Sequence, residues 1–143
     1  MFEYSLIRIE GQEVIISTID KDRILASNVT LRDLDKFIFG ISNTYGKNLK
    51  IFHKNRNKKD FRRSNLILTH KTLIENLGNL DYYKCMTQSN YFTPIGIHLD
   101  PYTKGYEVIY FDTDDHDKLV VENEKSIGEA IKIFNKFKDK FLN

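Results

Sequence analysis

The sequence predicts a mixed α+β protein with a β-hairpin and a helix first, a strand–loop–strand–helix unit next, and three antiparallel strands covered by one helix last. Three observations support this prediction. Apolar and polar residues alternate on both sides of Glu10-Gly11-Gln12, which predicts a hairpin. Apolar runs at 49–52 and 66–68 enclose a polar loop, as expected of two strands. An apolar stripe along 127–141 predicts an amphipathic helix.

Length and composition limit the classes of protein to consider. A chain of 143 residues forms one domain or two small ones, and a change in composition near residue 80 divides it into 1–79 and 80–143. The single cysteine, Cys85, excludes an internal disulfide and fits a reducing compartment. No apolar run approaches the roughly 20 residues that span a bilayer, and the first residues lack a signal-peptide pattern. We therefore expect no membrane partner and a cytoplasmic location.

Local patterns predict the elements of the first half. Ile24-Leu25-Ala26 is predicted as a third short strand. Thr30, with Asp33 three residues later, has the spacing of a capping box and predicts the start of a helix that ends near Gly40. A second capping box, Thr72 with Glu75, predicts a short helix after the strand–loop–strand unit. The apolar face of the first helix comprises Leu31, Leu34, Phe37, Ile38 and Ile41.

The second half predicts a three-stranded antiparallel sheet and one long helix. The strands are expected at about 95–98, 105–111 and 119–121, with turns between them. Ser126 and Glu129 form a third capping box at the start of the helix. The stripe on its buried face comprises Ile127, Ala130, Ile131, Phe134, Phe137 and Phe141.

The net charge of +2 is unevenly distributed along the chain. Residues 41–72 carry nine Lys and Arg against one Asp, whereas the segments on either side are both net acidic. A basic loop with few acids is expected of a protein that binds the phosphate backbone. A solvated lysine-rich loop without a ligand is the alternative interpretation.

Residues 50–69 resemble the HNH motif of phage and intron-encoded endonucleases, in which His, Arg and a final Asn-Leu recur at this spacing. The positions that match are His53, Asn55, Asp60, Arg62, Asn65 and Leu66. The resemblance implies a ββα unit at about 49–78. It also implies that His53 is the base that deprotonates water, Arg62 binds the phosphate, and Asn65 is a metal ligand.

The sequence departs from the HNH pattern at Phe52, at Asp35-Lys36, and at Phe61, which stands where the family commonly has Asn. Phe52 replaces the Asp that precedes the His in such nucleases, and phenylalanine cannot coordinate a cation. Asp35-Lys36 replaces an upstream His-Arg, and Asp35 is either a substitute ligand or an exposed helix acid. We therefore expect no bound cofactor, with Mg²⁺ or Mn²⁺ relevant only if nuclease activity survives. In the alternative without a metal, the amides of Asn55, Asn57 and Asn65 hold the loop backbone in place of an ion.

The second half resembles the AP2-like DNA-binding domain that follows HNH units in phage nucleases. The similar positions are Ser89-Asn90-Tyr91, Gly96-Ile97, Tyr106 and Glu129-Ala130. The acidic turn 112–117 departs from that resemblance, since it would repel phosphate. Its carboxylates are candidates for a protein interaction, with a calcium loop as the weaker alternative: Asp112, Asp114, Asp115 and Asp117.

These observations predict a nucleic-acid-binding protein on an HNH-endonuclease scaffold with weak or lost cleavage, acting in the cytoplasm of a bacterial host cell. One alternative is a phage-encoded protein that binds and inhibits a host nucleic-acid-processing or defence factor. Another is an active metal-dependent HNH endonuclease. The residues expected to contact DNA phosphates are Lys50, Lys54, Arg56, Lys58, Lys59, Arg62 and Arg63.

Overall fold

The computed structural model describes residues 3–41, 49–70, 96–111 and 119–141. The strands are β1 Tyr4–Ile9, β2 Gln12–Ser17, β3 Leu49–His53, β4 Asp60–Phe61, β5 Leu66–His70, β6 Gly96–Leu99, β7 Tyr106–Phe111 and β8 Leu119–Glu124. The α-helices are α1 Lys21–Leu25, α2 Leu34–Phe39 and α3 Ile127–Phe141. Short 3-10 turns cover Thr18–Asp20, Leu31–Asp33 and Arg63–Asn65. The mixed α+β class is therefore confirmed.

The first sheet has three strands in the order β1-β2-β4. The predicted hairpin is confirmed, because β1 and β2 are antiparallel and Ile9 pairs with Gln12. The two residues between them, Glu10 and Gly11, have φ angles of 52° and 78°. Positive φ at both positions is the backbone of the two-residue turn that best matches strand twist. Strand β4 joins the other edge of β2 in parallel.

The second sheet has five antiparallel strands in the order β3-β5-β6-β7-β8. Its last three strands and α3 correspond to the predicted three-stranded sheet and helix. Helix α3 contacts β7, and its Ala130 and Phe134 are fully buried. Strand β5, buried along its whole length, pairs with β6 through Ile67–His98 and Leu68–Ile97. One sheet thus joins residues on both sides of position 80.

The strand predicted at Ile24-Leu25-Ala26 is wrong, because Lys21–Leu25 is a helix. Ile24 is buried, whereas Leu25 is exposed. A three-residue apolar run is too short for its periodicity to distinguish a strand from a helical turn. A helix is favoured here because a 3-10 turn precedes it and because Lys21 and Arg23 have high helix propensity.

The helix predicted to begin at Thr30 is present, but the predicted Thr30 capping box does not form at its amino terminus. A 3-10 turn over Leu31–Asp33 precedes α2, and the side chain of Thr30 makes no capping hydrogen bond to the backbone. The Leu31 amide instead donates to Glu10 Oε1 in the hairpin turn, at 2.6 Å. The helix ends as predicted at Gly40, whose φ of 77° is the left-handed conformation that glycine favours at this position.

The hydrophobic core draws on both sheets and on all three helices. Ile7, Val14 and Ile16 project from the inner face of the hairpin, and Leu66, Leu68 and Val108 come from the five-stranded sheet. The helix predicted at 72–78 and the Ser89-Asn90-Tyr91 segment lie outside the described residues.

Candidate nucleic-acid interface

Strands β3 and β5 bring the two ends of the polar loop together. His53, the last residue of β3, pairs with Leu66, the first residue of β5. The next amide, that of Lys54, donates to the Asn65 carbonyl at 2.7 Å. His53 and Asn65 therefore lie side by side at the base of the loop, as the sequence predicted for a strand–loop–strand unit.

Two contacts fix the His53 ring. Its Nδ1 lies 2.9 Å from the Asp60 carbonyl oxygen, and its ring packs edge-on against Phe61 with the centroids 5.0 Å apart. A carbonyl oxygen can only accept a hydrogen bond, so Nδ1 is the donor. In the neutral ring the lone pair then lies on Nε2, the state that a general base requires.

Asn65 is buried, and both ends of its amide bind the loop. Its Nδ2 donates to Asn55 Oδ1 and to the Asp60 carbonyl, both at 2.9 Å, and its Oδ1 accepts from the Asn55 amide at 2.9 Å. Asn57 makes a further loop contact, since its Oδ1 accepts from the Lys59 amide at 3.0 Å. The asparagines thus hold the loop backbone, as one of the sequence interpretations proposed.

Asp60, at the end of the loop, is the one acidic residue between positions 50 and 63, and its side chain is 1% exposed. Arg62 binds it through two nitrogens, with Nε 2.9 Å from Oδ1 and Nη2 2.6 Å from Oδ2, and Asn55 Nδ2 donates to Oδ2 at 2.8 Å. Burial alone would raise the pKa of Asp60, but these hydrogen bonds outweigh it and hold the pKa below its usual value. The hydrogen bonds from Arg62 to Asp60 in turn raise the pKa of Arg62.

Five of the seven predicted phosphate contacts are exposed, and they come from β3 and the loop. These residues are Lys50, Lys54, Arg56, Lys58 and Lys59. Lys54 is exposed as a residue, but burial of its amine lowers its pKa to about 8, and the charge of Glu107 opposes that shift. Arg56 has a φ of 64°, a backbone conformation that costs a non-glycine residue roughly 1–2 kcal/mol. Arg62 is partly exposed, at 38% of its side chain, while bound to Asp60.

The structure places Arg63 away from the exposed cations. Its side chain is 4% exposed, and its Nε and Nη2 bind the two oxygens of Asp20 at 2.9 and 2.7 Å. Its Nη1 donates to the carbonyls of Asp100 and Thr103 in the turn between β6 and β7. Arg63 therefore joins three distant parts of the chain, and a phosphate cannot reach its guanidinium group.

Phe52 and Asp35 are two of the positions that depart from the HNH pattern. Phe52 is half-buried and pairs with Ile67, on the opposite sheet face from His53 because successive strand residues alternate. Burial raises the pKa of Asp35, and the Lys36 amide and the charge of His53 oppose that rise. Asp35 is half-buried on α2, and its role as a substitute ligand stays a prediction.

The other predicted sites are described only in part. Asp112, Asp114, Asp115 and Asp117 lie outside the described residues. Within 3–41, 49–70, 96–111 and 119–141, no three His, Cys, Asp or Glu side chains cluster as metal ligands would.

Sequence patterns did not indicate the aromatic and aliphatic side chains on the outside of β1. Tyr4 and Leu6 are 59% and 55% exposed, and the guanidinium carbon of Arg62 lies 5.8 Å from the centre of the Tyr4 ring. Alternation in β1 could have shown that Tyr4 and Leu6 share a face. It could not have shown which face is outside.

No protein-family model matches the chain, and no match was found among curated proteins or solved structures. Among the described helices, none has the length and apolar character needed to cross a membrane.

Proposed function

We propose that the chain is a DNA-binding protein whose polar loop, residues 54–59, and adjoining β3 contact the phosphate backbone. One observation carries the proposal. The acid of the 50–63 segment, Asp60, is buried and neutralised by Arg62, while five cations of that segment are exposed. The solvent-facing surface of this segment therefore carries cations and no exposed acid, which favours phosphate contacts.

The hydrogen bonds inside the loop support the same function. Asn55, Asn57 and Asn65 fix the backbone before any ligand arrives. A loop that is already ordered loses less conformational entropy on binding than a flexible one.

The salt dependence of DNA binding tests the proposal. We expect the affinity for a labelled duplex, measured by fluorescence anisotropy, to fall as salt rises. Replacing Arg56, Lys58 and Lys59 together with Gln should reduce the slope of log affinity against log salt by about 0.9 for each phosphate that the variant no longer binds. An affinity that does not change with salt would refute the proposal.

A matched variant controls for the loss of net charge. Lys125, Lys132 and Lys136 are exposed cations before and within α3, far along the chain from the loop. Replacing these three with Gln removes the same charge and should leave the slope nearly unchanged. Equal effects of the two triple variants would mean that the loop is not the DNA-binding surface.

The His53 geometry favours a second candidate function, a metal-dependent endonuclease of the HNH type. The hydrogen bond from Nδ1 to the Asp60 carbonyl leaves Nε2 available to accept a proton from water. The phenylalanine at position 52 argues for slow cleavage, because the carboxylate expected there would hold the metal. Nicking of a supercoiled plasmid with Mg²⁺ or Mn²⁺ should then be slow and should be abolished by His53→Ala; equal rates for both proteins would exclude His53 as the base.

A further inference from the structure

We propose that the outer face of the three-stranded sheet, formed by Tyr4, Leu6, Ile15 and Arg62, binds an unpaired nucleobase, so that the preferred ligand is single-stranded nucleic acid. This site presupposes the nucleic-acid binding proposed above and specifies its ligand. The bases would stack on this face while their phosphates bind the cations of the loop.

The sheet register defines this outer face. Leu6 pairs with Ile15, and Ile15 pairs with Asp60 in β4, so the three side chains share one side of the sheet. The residues of the other side, Ile7, Val14 and Ile16, are in the core. Tyr4 is two residues before Leu6 and therefore lies on the outer side, where it and Leu6 are more than half exposed.

Arg62 gives this face the chemistry of a base-binding site. Its guanidinium group lies over the Tyr4 ring, and Asp60 holds its Nε and Nη2. Among the described residues Nη1 makes no hydrogen bond, so it can bind a base or a phosphate. An aromatic ring beside a fixed guanidinium plane provides two surfaces on which bases stack, and stacking of this kind is largely independent of sequence.

The face is continuous with the basic loop. The Ile15 amide donates to the Lys59 carbonyl at 2.9 Å, so the last loop residue adjoins β2 directly. Strand β1 lies one strand further, about 10 Å from β4 at the usual strand spacing. A nucleotide chain can therefore place a base on Tyr4 and a nearby phosphate on Lys58 or Lys59.

The size of the apolar patch favours a base over a protein surface. Two exposed side chains and half-buried Ile15 form the patch, and the charged pair Arg8 and Glu13 follows it along the hairpin. A standard protein interface uses roughly 20–30 residues from each partner, whereas three apolar side chains are close to the size of one or two bases. Bases inside a duplex are stacked on one another, so only an unpaired base can reach the ring.

Binding to single and double strands tests the proposal. We expect the protein to bind an oligothymidine more tightly than a duplex of equal length. Tyr4→Leu should weaken single-strand binding about tenfold and leave duplex binding unchanged, whereas Tyr4→Phe should retain binding because it keeps the ring. Circular dichroism checks that the variants remain folded, as expected for an exposed side chain.

A spectroscopic measurement locates the base directly. The chain contains no tryptophan, so Tyr4→Trp introduces a single reporter. Its emission should be quenched when oligothymidine binds, whereas that of Leu25→Trp, at a position 57% exposed on α1, should not.

The outcomes separate this proposal from the proposed function. If neither single-stranded nor duplex DNA binds, both proposals fail. If DNA binds but Tyr4→Leu has no effect and Tyr4→Trp is not quenched, the base site is refuted while DNA binding by the loop stands. The base site would also be refuted if the protein preferred duplex DNA, or if Tyr4→Leu weakened binding to a partner protein but not to DNA.

Discussion

At the scale of single residues, the Asp60 carboxylate controls the charge of the loop and links stability to pH. Its lowered pKa means that the unfolded chain, with a carboxyl pKa of about 3.9, binds the proton more readily than the folded one. The stabilisation is therefore present above the unfolded pKa and is lost as pH falls through the folded pKa.

This linkage predicts a smaller acid sensitivity for Asp60→Asn. The free energy of unfolding of the natural chain should fall as pH is lowered from about 5 to below 3.9, and the fall should be smaller in the variant. Urea unfolding at a series of pH values measures the free energy of unfolding of both proteins. The exposed Asp22 offers the control Asp22→Asn, and an equal change in both variants would contradict the role of Asp60.

The backbone conformation of Arg56 predicts that one substitution will stabilise the fold and weaken DNA binding. Its left-handed backbone would suit glycine, so Arg56→Gly should raise the free energy of unfolding by up to about 1 kcal/mol while weakening DNA binding. Lys58, a neighbouring exposed cation whose φ is not positive, provides the control. Lys58→Gly should weaken binding without stabilising the fold. Stabilisation of both variants, or of neither, would contradict the explanation from backbone strain.

At the scale of elements, the pairing of β5 with β6 depends on the absence of a side chain at Gly96. A Cβ there would lie 2.8 Å from Ile67 Cδ1 and 2.9 Å from the Leu68 carbonyl oxygen. The backbone oxygen cannot move away without disturbing the pair that Leu68 forms with Ile97.

Gly96→Ala should therefore lower the free energy of unfolding by about 1–3 kcal/mol, the usual cost of overpacking. Gly128, at the start of α3, is the matched control, because its nearest contact for a Cβ is 3.5 Å away at Ser126 Oγ. Gly128→Ala should be neutral or stabilising, since alanine favours helices. Thermal unfolding of both variants measures the difference, and an equal loss would contradict the steric account.

The elements that were predicted correctly are those whose signals are local. The hairpin follows from alternation around Glu10-Gly11, and α3 from a long stripe with period 3.6. Helix α1 was missed because three apolar residues carry too little periodicity. The cap on Leu31 was missed because its acceptor, Glu10, lies 21 residues earlier and only the folded chain brings them together.

At the scale of the whole molecule, the five-stranded sheet predicts cooperative unfolding. Strand β5 is buried between β3 and β6, so residues on both sides of position 80 share one sheet. We expect one unfolding transition, with calorimetric and van't Hoff enthalpies equal. Two resolved transitions would instead support independent units at 1–79 and 80–143.

The candidate site was predictable where it depends on neighbours in sequence. The approach of His53 and Asn65, the loop-holding asparagines and the exposed lysines all follow from one strand–loop–strand segment. Asp60 is buried on β4, which pairs in parallel with β2, and sequence patterns give no signal for such a long-range pair. The same limit applies to Arg63, which the sequence groups with the surface cations because its partner Asp20 lies 43 residues earlier.

The ion pair between Asp20 and Arg63 restricts which substitutions evolution can accept. Loss of Asp20 alone leaves the Arg63 guanidinium buried without its carboxylate, at a cost of about 3–5 kcal/mol, whereas loss of Arg63 leaves Asp20 paired with Arg23, 2.9 Å away. In descendants of this sequence, a substitution of Asp20 should therefore be accompanied by a change at position 63.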